Sequence, residues 1–307
     1  MASLSALILI AIKASIFLNV LALGMSARPT DALYVLRRPA LLLRSLLAMY
    51  VIMPLFAAAL AVAFDLRPVV KVVLVALALA PVPPLLPKKQ MKAGGHASYT
   101  IGLLAAASLL AIVVVPVVLT ALGRAFGWET HVPVTTIASI VATSVLAPMA
   151  LGLLIRHFAP GGAERCAKPV AIAAAVVLVV GAVPILLAAW PAIVALIGNG
   201  TLLVLGIFTA VGLAVGHWLG GPDPDERTVV ALSTACRHPA IAMAIAAANF
   251  TEKTAVMGAV LLYLIVSALV SLLYVRRHTR RGGGVGGAVE VRPSVYEHAL
   301  TIKRSAL

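Results

Sequence analysis

The chain has 307 residues, 62% of them hydrophobic and only 11% charged, with a formal net charge of +14. A soluble domain carries about 25% charged residues, so this chain cannot cover itself with polar side chains, and lipid must cover it. The composition leaves no room for a soluble domain between Ser3 and Val275, and the basic residues lie in short loops between apolar runs, which argues for a membrane protein and against a nucleic-acid partner.

A helix needs about 20 apolar residues to cross the hydrocarbon. Nine segments meet that requirement. The first, about 3–24, follows Met1 without a basic n-region, is interrupted by Lys13 and lacks a good cleavage site, so it reads as a span rather than a signal peptide. Lys13 is given no role beyond snorkelling. The loop "ARPTDALYVLRRPA" leads to the second span, about 40–64. The third, about 67–87, ends in "LALAPVPPLLPKKQ", where Pro81, Pro83, Pro84 and Pro87 each lack an N–H and clash with the preceding turn, so no regular helix passes through. The fourth is about 97–121, and "GRAFGWETHVP" joins it to the fifth, about 134–157. The sixth and seventh, about 168–190 and 195–219, divide at "AAWPAIV". "GGPDPDER" precedes the eighth, about 228–250, which is interrupted by Pro239, and the ninth covers about 254–275. After it, "RRHTRRGGGVGG" opens a polar stretch that cannot bury a core, so 277–307 is predicted to be a disordered cytoplasmic tail. Cys166 falls in a basic loop and Cys236 inside a span, which predicts neither a disulfide nor a metal site.

Nine spans put alternate loops on opposite sides. Fifteen Lys and Arg residues collect on one side (among them Arg37, Arg38, Lys88, Lys89, Lys92, Arg227 and Arg277), and only Arg67, Lys71, Arg124 and Lys253 on the other. The bias predicts an external N-terminus and a cytoplasmic C-terminus in the cell membrane. Divided at the loop 122–133, the chain gives one part of four spans and one of five, and the damaged span is next to last in each. Matched spans then run in opposite directions, the layout of inverted repeats, about 1–122 and 133–276 within a transmembrane domain of 1–276.

The eighth span holds a charge that needs a reason. Arg237 is about ten residues into it, where a charge costs about 2.5–3.5 kcal/mol on insertion scales, so it must face protein. None of the ten acidic residues lies deep in a span. If the segment is helical, Ser233 shares a face with Arg237, and Thr234 shares one with His238. Two roles stand open for Arg237: a brace on backbone carbonyls freed at the third-span prolines, or the counter-ion of an anionic substrate. Ser233, Thr234, Arg237, His238 and Asn249 are the candidate substrate-binding residues, and Pro81, Pro83, Pro84, Pro87 and Pro239 mark the broken-helix crossover. His238 could equally be a neutral residue bonded to backbone or a proton carrier. An enzyme is not expected: Ser233 with His238 lacks an acidic orienter, and no His pair has metal spacing.

With these residues in view, "FLNVLALGMSARPTDALYVLRRPALLLRSLLAMYVIMPLFA" and "TVVALSTACRHPAIAMAIAAANF" resemble the bile acid:sodium symporter family, over about 15–275. The resemblance implies an all-α polytopic fold of inverted repeats, in which a panel domain rocks against a core domain and two discontinuous helices, here the third and eighth spans, cross in the core. Thr135, Thr136 and Ser139 could line the panel or serve as helix-packing residues. It implies a secondary transporter working by alternating access. The chain departs from the family where sodium is held. Aligned on Pro81, Val82 and Pro83 replace the family's glycines, and Leu86 and Pro87 its Ser and Asn. Ser233 and Arg237 stand for a Glu and a Gln. A carboxylate is lost and a positive charge gained, and two unit charges about 4 Å apart repel by about 4 kcal/mol at an effective dielectric of 20. The expected substrate is a small organic anion, a carboxylate or sulfonate, carried without a cofactor and without the sodium site. The coupling ion (none, proton or sodium), the anion's identity, the direction of transport and the oligomeric state stay open. The alternative is a non-transporting structural or regulatory membrane protein derived from a transporter.

Overall fold

A computed structural model describes residues 2–126 and 132–282 and contains only helices and their connections among them. The first span is α1 (Ala2–Ser26), followed by a short surface helix α2 (Pro29–Tyr34). The second span joins α3 (Pro39–Leu47) to α4 (Met53–Ala63) through a π-helical turn at Ala48–Ile52. The third breaks into α5 (Pro68–Leu79) and α6 (Leu86–Lys92). The fourth is α7 (Ala97–Phe126), and the fifth joins α8 (Val134–Val141) to α9 (Ala147–Phe158) through a second π turn at Ala142–Leu146. Then come α10 (Pro160–Ala195), α11 (Thr201–Leu219), the pair α12 (Pro224–Ala235) and α13 (Pro239–Asn249), and α14 (Lys253–Gly282). Among the described residues, eight stretches are long and apolar enough to cross a membrane, and the interrupted third span contributes a shorter apolar helix, Pro68–Leu79.

Proline explains many of the starts. Pro29, Pro39, Pro68, Pro160, Pro224 and Pro239 each open a helix, where a missing N–H costs nothing and the fixed φ suits the first turn. Pro239 interrupts the eighth span, as its position in the sequence predicts. The residue does not kink a continuous helix. Cys236 (φ −101, ψ 131) and His238 (φ −69, ψ 108) are extended, α12 ends at Ala235 and α13 begins at Pro239. The helical-face pairing of Ser233 with Arg237 and of Thr234 with His238 therefore does not apply.

The division expected at 190–195 is corrected. The sixth-span helix runs through Pro191 to Ala195, and the break falls at 196–200. Pro191 removes one N–H, whereas Gly198 (φ 136), Asn199 (φ 42) and Gly200 (φ 76) take left-handed or related backbone conformations that end any right-handed helix. The helix of the last span also passes the expected tail boundary and continues to Gly282; the rest of the predicted tail, 283–307, lies outside the described residues.

The helices sort into two groups. α1 packs on α9 and α10, with Gly24 and Gly152 letting the α1 and α9 backbones touch. The broken helices lie in the other group: α5 contacts α4, α13 and α14, and α12 lies along α11. Gly212 and Gly216 of α11 and Gly220 just after it, at four-residue spacing, face Ala235, Ala231 and Arg227 of α12. Small residues let membrane helices approach closely enough for dispersion to hold them. At the end rich in Lys and Arg, buried Glu226 near the start of α12 meets Arg38 at 3.8 Å and accepts from the Tyr34 hydroxyl at 3.4 Å. Glu226 is the main cause of the raised pKa of exposed Arg38. The ring of Tyr34 stacks on His96 at 4.7 Å, so α2 is tied to the starts of α7 and α12.

A Cβ at Gly216 would sit 2.6 Å from the Ala231 backbone, while one at Gly206 on the same helix meets nothing. Gly216→Val should therefore lower the unfolding temperature of detergent-purified protein, at a cost of about 1–3 kcal/mol of overpacking, and Gly206→Val should leave it nearly unchanged.

Candidate functional site

The two breaks meet. The His238 N–H donates to the Pro81 carbonyl at 2.9 Å, joining the third and eighth spans at their interruptions. Around this bond four half-helices end or begin: α5 and α12 bring their C-terminal, negative ends, and α6 and α13 their N-terminal, positive ends.

Arg237 fills the negative part of this arrangement. It is fully buried, the largest wholly buried side chain among the described residues. Its Nη1 donates to the Ala80 carbonyl and its Nη2 to the Met49 carbonyl, each at 3.2 Å. Both acceptors need a donor for the same reason. Ala80 follows the last turn of α5 in extended conformation (ψ 140), and the residue four further on, Pro84, has no N–H. Met49 lies in the π turn, where a carbonyl looks five residues ahead, and that residue is Pro54. A proline has removed each carbonyl's natural donor, and the guanidinium supplies both. A third carbonyl, that of Ala235 at the end of α12, accepts from the Tyr263 hydroxyl of α14 at 2.6 Å. The carbonyl of Ala107, on α7, accepts from Tyr50 of the π turn at 2.6 Å. The carbonyls of Ala80, Met49 and Ala235 are thus paired within the protein, as burial in an apolar surrounding requires. The two bonds from the guanidinium have the geometry of a brace, one of the two roles left open for Arg237.

The other sequence-selected residues separate. His238 lies beside Arg237, with its Nε2 3.4 Å from the Ser144 hydroxyl. Ser144 is in the π turn of the fifth span, so this contact reaches from the crossover to the α8–α9 helix. Ser233 is buried on α12 and accepts from Gln90 Nε2 at 2.7 Å; the same nitrogen donates to the Val229 carbonyl at 2.9 Å. Thr234 bonds back to the Val230 carbonyl at 2.8 Å and faces Gly216 of α11. Asn249 closes α13 ten residues beyond Pro239, about 15 Å along the helix, and donates to the Ile245 carbonyl. Pro81, Pro83 and Pro84 lie in the connection between α5 and α6, while Pro87 is at the second position of α6. Thr135 and Ser139 are exposed on α8.

Four residues matter here that the sequence did not single out. Lys88 of α6 donates to the Asn19 side-chain oxygen on α1. Asn19 is buried, and its own amide donates to the Ser15 carbonyl at 3.0 Å, so its oxygen is turned towards α6. This bond and the His238–Ser144 contact both join the broken-helix group to the α1–α9–α10 group. Gln90 and Ser144 are the other two. The available signals were a lone amide in the apolar first span, a glutamine inside "PKKQMK", and a serine four residues before Pro148.

Among the described residues, eight helices long and apolar enough to cross a membrane, with two interrupted spans that meet at their breaks, define a multi-pass helical membrane protein, and paired broken helices are a layout found in secondary transporters. Consistent with that, the sodium bile acid symporter family model matches residues 14–205, more than half of the chain. The chain belongs to this family of membrane transporters. No curated protein matches it. The family match ends near the start of α11, so α12, Arg237 and α13 lie beyond it.

Two unserved backbone carbonyls at the crossover are already occupied. The Ala80 and Met49 carbonyls are the kind of ligand a sodium ion takes from unwound backbone, and both are bonded to a fixed cation. Arg237→Met should leave both carbonyls without a donor, at about 1–3 kcal/mol each, and lower the unfolding temperature accordingly. Arg237→Lys should lose less, because the charge and one contact survive. Unfolding of the purified variants in detergent checks both.

Proposed function

We propose that this protein carries a small organic anion, a carboxylate or sulfonate, across the cell membrane by alternating access and without bound sodium. The observation that carries the reading is the Arg237 guanidinium on the carbonyls of Ala80 and Met49. In transporters with broken helices, the C-terminal half-helix ends and free carbonyls hold the coupling cation, and the N-terminal ends face the anionic substrate. A covalent cation here takes the first role permanently. The positive end of α13 is left, with His238 at its start and Ser144 opposite.

Two inverted repeats, about 1–122 and 133–276, underlie the movement, and the α1–α9–α10 group forms the panel against which the core rocks. The N-terminus is outside and the C-terminus in the cytoplasm. Of the candidate residues, Arg237 sets the potential at the crossover and Ser233 anchors Gln90 and α6, while Thr234 and Asn249 stay with helix packing. The substrate's anionic head exchanges with Asn19 for the Lys88 ammonium, since a carboxylate is a stronger partner for a cation than a neutral amide oxygen. A descendant of a transporter kept for a structural role would fold identically and carry nothing.

Proteoliposomes separate these outcomes. Uptake of a panel of labelled carboxylates and sulfonates should proceed at similar rates in sodium and in choline buffer, and exchanging one buffer for the other should not shift the unfolding temperature. Lys88→Gln should cut uptake by about 10-fold or more, the value of one charge-assisted hydrogen bond, with the protein still folded. A strict sodium requirement defeats the cation replacement, and folded protein that carries none of the panel defeats the transporter reading.

A further inference from the structure

Outside the crossover, α11 and α14 enclose a surface groove of about 400 Å³. Its floor includes Ala210 and Ala214, whose small side chains leave the space, and Leu273 forms part of the opposite wall. At the end rich in Lys and Arg the groove becomes polar: His217 Nδ1 and the Tyr274 hydroxyl are 2.9 Å apart, and Arg277 stands beside them. The positive charge of Arg227, on the neighbouring α12, also acts on Tyr274. From Ala210 to His217 the groove follows about 10 Å of helix.

Two observations fix its level in the membrane. Trp218, next to His217, is 83% exposed in the last turn of α11, and Leu273 is 60% exposed on α14. An exposed Trp at a helix end sits at the headgroup boundary, and an exposed Leu one turn from Arg277 sits in the acyl region. The groove therefore runs from the hydrocarbon to the interface, apolar below and cationic above.

We propose that this groove binds an anionic phospholipid, with its phosphate on Arg277 and an acyl chain laid over Ala210 and Ala214. Basic pockets between membrane helices recognise acidic headgroups, and the charges here match that chemistry. A second copy of the chain packed on the same face about a two-fold axis would bring Arg277 towards its own counterpart, like charge against like.

The test uses full-length protein in phosphatidylcholine nanodiscs, in a Trp128→Phe, Trp190→Phe background, so that emission reports Trp218. Phosphatidylglycerol with brominated acyl chains should quench about fivefold more steeply per mole fraction than brominated phosphatidylcholine, the ratio one Arg supplies at an anionic surface. Arg277→Gln should abolish the preference. Arg165→Gln, an exposed cation outside the groove, should preserve it. Should the Trp background not fold, native mass spectrometry of the wild type and of Arg277→Gln reads the same preference as retained phosphatidylglycerol. Equal behaviour of the two lipids, equal loss with Arg165→Gln, or displacement by inorganic phosphate overturns the lipid site. Protection from both lipids overturns it in favour of a protein neighbour.

Discussion

The architecture depends on one buried guanidinium. Arg237 has no carboxylate partner among the described residues and is fully buried, within the apolar stretch Pro224–Asn249. What makes this tolerable is that its surroundings lack donors. Pro84 and Pro54 leave the carbonyls of Ala80 and Met49 unserved, and the C-terminal ends of α5 and α12 add negative potential. Removing the prolines would let the carbonyls find backbone partners and strand the charge. Removing the charge would strand the carbonyls. Each half of the arrangement is costly alone, and together they hold the second, third and eighth spans in fixed relation.

That arrangement bears on how a family named for sodium coupling could run without it. A bound ion is a ligand whose occupancy varies, so it can couple its gradient to a conformational change. A covalently attached cation has no gradient and cannot leave. If Arg237 stands where the ion would, the core is held in its ion-loaded form and the driving force must come from the substrate's own gradient or from another ion. Lys88 to Asn19 and His238 to Ser144 are polar contacts between the two helix groups.

The sequence by itself determined the membrane character, the number of spans and the two interruptions. Those follow from hydropathy over about 20 residues and from proline's missing N–H, both local properties. It also marked Arg237, because a charge in an apolar run is visible without coordinates. It misplaced the sixth-to-seventh boundary, since proline was given more weight than the Gly198–Gly200 turn that ends the helix. It marked the break of the eighth span at Pro239 but not the conformation there: Pro239 opens a new helix and Arg237 lies in the extended linker.

Only the tertiary structure decided what Arg237 touches. Its acceptors, Met49 and Ala80, are 188 and 157 residues away in the chain, and Met49 is freed only because the second span takes a π turn before Pro54. No hydropathy pattern carries that shift of register. Asn19 and Lys88 were likewise readable as residues but not as partners, because their meeting depends on how α1 packs beside the broken helix. Local composition sets where the chain must cross the bilayer and where it must break; which orphaned carbonyl meets which donor is a property of helix packing.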